Sequence, residues 1–317
     1  MFKKLKIDSF VIAILISILI AYFFPQLGAK DSPIPMNTVG SIGISLIFFF
    51  YGLSLSSDAI RNGLKNWKLH VLVQSTTFLI FPLIILAFHP LFKEGPHELL
   101  WLAFLFMAAL PRGNLPAAIF NASISGIIGI IVTPLWMIPY VKPFVSDPNI
   151  SFDFSSIYLQ LITEIVVPLT LGLMLRKFFG IWAIKNKKSL DRFDKFIILL
   201  IIYKSFVHSF EEKIFSSVSL IQLAIMGLIV AVIFFVTFNL TSWLGKLLGF
   251  NYEDQITNQF CGTKKSLVHG TVFSEALFAG TGLIGILLLP LMFYHAIQIL
   301  IISIYASRLA ARFKEEK

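Results

Sequence analysis

Cysteine and charge are what this sequence has least of. One cysteine, Cys261, leaves no partner for an intramolecular disulfide and too few thiolates for a cysteine-based zinc or iron–sulfur site. Charged residues make up 14% of the 317 positions against 57% hydrophobic, and the mean hydropathy is +0.84. A water-soluble core cannot hide that much apolar surface, so the solvent for most of the chain is lipid. The Leu-, Ile- and Phe-rich runs also lack the period-two alternation of a β-barrel, which leaves α-helices to satisfy the backbone in a bilayer. Acids are outnumbered, 17 against 26 Lys and Arg, for a formal charge of +9. Nucleic acid is not an expected partner, because the basic residues sit in short loops between apolar runs instead of forming a water-exposed basic face.

What is present is a series of apolar runs, at about 8–26, 37–56, 69–92, 98–110, 115–138, 157–175, 193–208, 218–244, 252–279 and 281–307. The first follows Lys3, Lys4 and Lys6 as a signal peptide would, but the segment around Ala29 is a poor cleavage site, so it is read as a retained first helix. The run 98–110 amounts to about 20 Å of helix, too short to cross a hydrocarbon core of about 30 Å alone. The run 252–279 is interrupted by Phe260-Cys261-Gly262-Thr263-Lys264-Lys265-Ser266, which reads as a broken helix.

Lys and Arg set the orientation. With a cytoplasmic N-terminus, nineteen of them fall in loops on the cytoplasmic side, against Lys30, Lys93, Lys142 and Lys213 on the other; Lys204, Lys264 and Lys265 lie within apolar segments. That bias predicts a multi-pass protein of the inner membrane with both termini cytoplasmic. Ten runs divide into two fives, and an odd repeat must insert its second copy upside down. Gly126, Gly129 and Pro134 in the fifth run recur at the same spacing as Gly282, Gly285 and Pro290 in the tenth. The expected fold is therefore all-α and polytopic: about ten transmembrane helices in two inverted five-helix repeats, residues 1–138 and 157–310, forming one membrane unit with a broken ninth helix and a truncated fourth. Inverted repeats with broken helices mark secondary transporters.

The break is the leading candidate site. Unwound backbone is tolerated at membrane depth only where protein or a water-filled cavity surrounds it. Each lysine there costs roughly 2.5–3.5 kcal/mol to insert, so Lys264 and Lys265 are expected to face an interior and meet an anion. A half-helix starting near Ser266 adds its positive dipole end. Gly262, Thr263, Lys264, Lys265 and Ser266 thus form a candidate anion site, with snorkelling of the lysines to an interface as the alternative. His269, Arg112 and Asn121 are further candidates for the same ligand. Glu164 and Glu275, the carboxylates inside apolar stretches, could take a proton or pair with Lys264 or Lys265. His208, His295 and Gln298 read as interior polar residues. No cofactor and no metal ligand set is expected, and no spacing of converging catalytic groups suggests an enzyme.

The stretch Phe260-Cys261-Gly262-Thr263-Lys264-Lys265-Ser266-Leu267, with Leu289-Pro290-Leu291-Met292-Phe293-Tyr294-His295-Ala296-Ile297-Gln298, resembles the bile acid:sodium symporter superfamily, in particular its SBF-like branch. Tyr51-Gly52-Leu53-Ser54-Leu55 and Arg112-Gly113-Asn114-Leu115-Pro116-Ala117-Ala118-Ile119 extend the resemblance. It implies a panel domain and a core domain, with broken fourth and ninth helices crossing at the substrate and cation sites. The sodium-coupled members carry a glutamate and a glutamine where Phe260 and Lys264 stand here; a lysine ammonium could substitute for the cation, so sodium coupling stays open and proton coupling is the alternative. Only Arg112, Gly113 and Asn114 separate Pro111 from the fifth run, about a dozen residues short of a second half for the fourth helix. The two expectations are a symporter-like secondary transporter of a small organic anion, and a degenerate non-transporting or regulatory homologue that has lost half of the crossing.

Overall fold

The computed structural model describes residues 9–29, 32–55, 66–92, 96–110, 119–141, 154–211, 213, 219–278 and 281–315. Among them every regular element is helical. Helix α1 is Ser9–Phe23 and α2 Met36–Ser54. Helix α3 starts as Trp67–Ser75, widens into a π turn at Thr76–Ile80 and resumes over Phe81–Ala87. Then come α4, Pro96–Ala109, and α5, Ile119–Val141. Helix α6 joins Phe154–Leu161, a π turn at Ile162–Val166 and Val167–Lys185. The remainder are α7 (Lys187–Glu211), α8 (Leu220–Leu247), α9 (Tyr252–Thr263), α10 (Leu267–Phe278) and α11 (Ile284–Glu315).

Among the described residues, five segments are long and apolar enough to cross a bilayer: Met36–Ser54, Trp67–Ala87, Ser155–Lys185, Leu220–Leu247 and Ile284–Ile302. Their outward faces are apolar, with Phe178 74%, Ile181 84% and Leu220 83% exposed, a surface suited to lipid and costly in water. This is an all-α, multi-pass membrane protein. The interrupted run 252–279 is two helices, α9 and α10, but the interruption is narrower than its sequence suggests: α9 remains helical through Thr263, and only Lys264, Lys265 and Ser266 are unwound.

From Leu99 onward helix α4 is apolar all round, and Leu100 through Leu110 are buried without exception. Such a helix belongs in the centre of a bundle. At 14 residues it reaches about 21 Å and ends inside the protein. Helix α10 is equally central, since eleven of its twelve residues are buried and Val268 is partly so.

Packing divides the bundle into two groups. Helices α1, α2, α6 and α7 pack on one another, while α4 packs on α3, α5 and α11, α9 on α8 and α3, and α10 on α11. Each group draws helices from both halves of the chain. Within the first, α2 and α6 touch backbone to backbone: a Cβ on Gly52 would lie 2.3 Å from the Leu169 carbonyl oxygen, and one on Gly172 2.1 Å from that of Phe49. Close approach at small residues is how helices associate where lipid supplies no hydrophobic drive. Between the groups, α7 meets α10 and α11, and α6 meets α5 and α10.

The π turn in α3 has a local cause. Pro82 carries no N–H and its ring crowds the carbonyl four residues back, that of Phe78. The ladder shifts to a wider spacing, and Phe81 N–H bonds to the Thr76 oxygen. Phe78 and Thr77 therefore offer carbonyl oxygens to other donors, and Trp136 Nε1 on α5 takes the first at 2.9 Å.

Candidate functional site

The last turn of α4 presents carbonyls with no helical N–H to receive them, and here no water reaches them. Side chains close all three. Thr133 Oγ1 on α5 donates to Ala109 O at 2.9 Å. The ammonium of Lys265, 1% exposed, donates to Ala108 O at 2.6 Å and to Leu110 O at 2.9 Å. A third contact runs to Thr77 O at 3.4 Å, the oxygen uncovered by the π turn, and the ring of Phe81 lies 4.5 Å from the nitrogen. A cation at a helix C-terminus meets the negative end of the dipole, and the aromatic face adds to it.

The unwound backbone that carries Lys265 is held by α11. Gln298, fully buried, accepts from Lys265 N–H at 2.9 Å and donates to Lys265 O at 2.9 Å. One turn earlier, Tyr294 OH donates to Thr263 O at 2.6 Å. Two side chains four residues apart on one helix face thus satisfy the break, as membrane depth requires. Ser266 caps α10: its Oγ accepts from His269 N–H at 3.2 Å and lies 2.8 Å from His269 Nδ1. His269 is buried between the groups, edge-on to Phe48 of α2 and 2.9 Å from where a Cβ on Gly126 of α5 would stand.

Of the expected site residues, Lys264, Lys265, Ser266 and His269 come together at the break. Gly262 and Thr263 end α9 instead: Gly262 lies against Thr241 of α8, and Thr263 Oγ1 donates to Gln259 O at 2.8 Å. Lys264 is half-buried beside Lys265. Arg112 and the side chain of Asn121 lie outside the described residues. Glu164 sits in the α6 π turn against α2 and accepts from Gln160 at 3.2 Å. Glu275 is 5% exposed and pairs with Lys204 of α7, not with either lysine of the break. Sequence reasoning missed three participants: Tyr294, the clamping role of Gln298, and Lys204. A signal existed for Lys204, an unassigned lysine within an apolar run.

A sodium ion does not fit the carbonyl cluster while Lys265 fills it. Helix-end and unwound carbonyls are the donors from which transporters build sodium sites. Here an ammonium tethered to the chain already occupies them.

The model of the SBF-like CPA transporter family matches residues 8–311. The chain belongs to that family. It is 37% identical to an uncharacterized protein of Pseudomonas aeruginosa, over 96% of this chain and 93% of the relative. It is 30% identical to the Escherichia coli protein named "Putative symporter YfeH", over 95% and 92% of the two chains. Sodium/bile acid cotransporter 7 of Xenopus tropicalis is 31% identical over 95% and 91%. This member of the SBF-like family thus has relatives along its whole length that are named for transport.

Proposed function

We propose that this protein is a secondary transporter that moves a small organic anion across the cytoplasmic membrane by alternating access, without sodium as its coupling ion. The observation that carries the reading is Lys265, whose ammonium supplies the positive charge at the crossing of α4 with the α9–α10 break. The ten apolar runs are then two inverted halves, with both termini cytoplasmic. The moving parts are the two packing groups, α1–α2–α6–α7 against the rest. Cavities at opposite ends of α7 suit such rocking: one of about 240 Å³ beside Tyr51, Ser54 and Asp194, the other of about 340 Å³ beside Lys204 and His208. Lys264 and the N-terminus of α10 at Ser266 provide the field for a carboxylate or sulfonate, with Arg112 and Asn121 as candidates for the same anion.

The test is uptake of radiolabelled cholate and benzoate into liposomes containing the purified protein. Uptake of either that is unchanged when potassium replaces sodium, and that falls in Lys264→Gln, is the expected result. Uptake that appears only with a sodium gradient overturns the sodium-free mechanism.

A further inference from the structure

A polar-lined cavity of about 340 Å³ lies away from the break. It lies where the α1–α2 connection meets α7 and the start of α11, and Ser32, Asn37, Thr38, Lys204 and His208 are among its walls. Lys204 stands between this cavity and the core. Its ammonium is bonded to Glu275 Oε1 of α10, and the other carboxylate oxygen, Oε2, is buried with no hydrogen-bond partner. The pair also spans the boundary between the packing groups, from α7 to α10.

We infer that the cavity is a second anion site, for a monocarboxylate, and that Glu275 is the tethered carboxylate an incoming one replaces at Lys204. The inference rests on the transporter reading and deepens it by naming the coupling. A buried carboxylate cannot leave its lysine as a bare charge, because a buried ion without its partner is the costly arrangement. It can leave as a neutral acid. A proton delivered to Oε2 breaks the pair, and the ammonium, still protonated, accepts the carboxylate of the ligand from the cavity. One proton and one monoanion then enter together, and no net charge moves. The same event frees α7 from α10, the contact across which the groups must slide.

Other ionisable groups around the pair are few among the described residues. His208 lies one turn along α7 and His269 six residues back along α10; on α4 Glu98 faces His89, and Tyr158 of α6 bonds to Ile131 O. The first turns of α2 and α11, and α5 from Ser125 to Met137, bring none. Glu275 is therefore the carboxylate that faces Lys204, with one oxygen on the ammonium and the other open to a proton.

The experiment is equilibrium binding of benzoate and cholate to the purified full-length protein, without sodium, over a range from mildly acidic to mildly alkaline pH. Wild type should bind at least one of them, and more tightly at the acidic end of the range than at the alkaline end by about tenfold or more, since only molecules that have taken up the proton are competent. Glu275→Gln should bind with the same affinity throughout. Lys204→Gln combined with Glu275→Gln, a neutral pair that leaves no buried lone charge, should lose this binding at every pH. An unchanged pH profile in Glu275→Gln, retained binding in the double variant, or no binding of either carboxylate to wild type overturns the inference. Liposome uptake by the same preparations separates the two readings: transport that persists without pH linkage refutes the latch alone.

Discussion

The ammonium of Lys265 takes the place of the N–H groups that the end of α4 does not have. Two buried carbonyls depend on it, and each left unsatisfied costs about 1–3 kcal/mol. Lys265→Ala should therefore lower stability by about 2–5 kcal/mol, read as a fall in thermal unfolding temperature in detergent. Added ammonium or sodium should restore part of the loss, because the vacated oxygens are ligands for a small cation; no cation effect would mean that the lysine acts only by packing. Gln298→Leu removes both bonds to the Lys265 peptide and should cost about 2–4 kcal/mol in the same assay, with Gln298→Glu recovering the acceptor half. How these residues act was only half legible in the sequence. Two lysines and a glycine in an apolar run announce a break at membrane depth. Which carbonyls the lysine reaches depends on helices distant in sequence, α3 and α4, and no local pattern encodes that meeting. Glu275 illustrates the same limit: its nearest lysines in the sequence are Lys264 and Lys265, yet the fold gives it Lys204.

At the scale of elements, hydrophobic runs were the reliable guide, because length and polarity against a bilayer leave few alternatives to a helix. The breadth of the break was not legible: Phe260 through Thr263 look polar and glycine-rich enough to unwind, but α8 packs against them and keeps α9 regular. The run 98–110 matches α4 to within two residues, while residues 111–118, where a second half of that helix would lie, are outside the described residues. The π turn in α3 comes from Pro82, and the Thr77 oxygen it uncovers finds a donor only because Lys265 arrives there. The α2–α6 contact yields its own prediction. Gly172→Ala puts a methyl group where Phe49 O stands, so the helices must separate along a face that α7 also uses. The expected result is loss of about 1–3 kcal/mol of stability, seen as a lower unfolding temperature and reduced yield in membranes. A variant as stable as wild type would show that α2 and α6 are free to shift.

For the molecule as a whole, two packing groups built from interleaved halves are joined at α7 by the Lys204–Glu275 pair and by Ser209, whose Oγ receives the Gly285 N–H at 3.1 Å. Movement between the groups should be essential to transport. Ser209→Cys with Gly285→Cys, in a chain whose buried Cys261 is replaced by Ala, should form a disulfide that stops uptake until reductant is added. Uptake unaffected by a complete cross-link would rule out sliding at this boundary. The central claim, that a tethered ammonium fills the carbonyl cluster at the end of α4 where a small cation could otherwise bind, has a direct test that needs no substrate. Binding of radioactive sodium to the purified protein should be unsaturable in wild type and saturable in Lys265→Ala. Saturable sodium binding to wild type, lost or unchanged on removing Lys265, would contradict it.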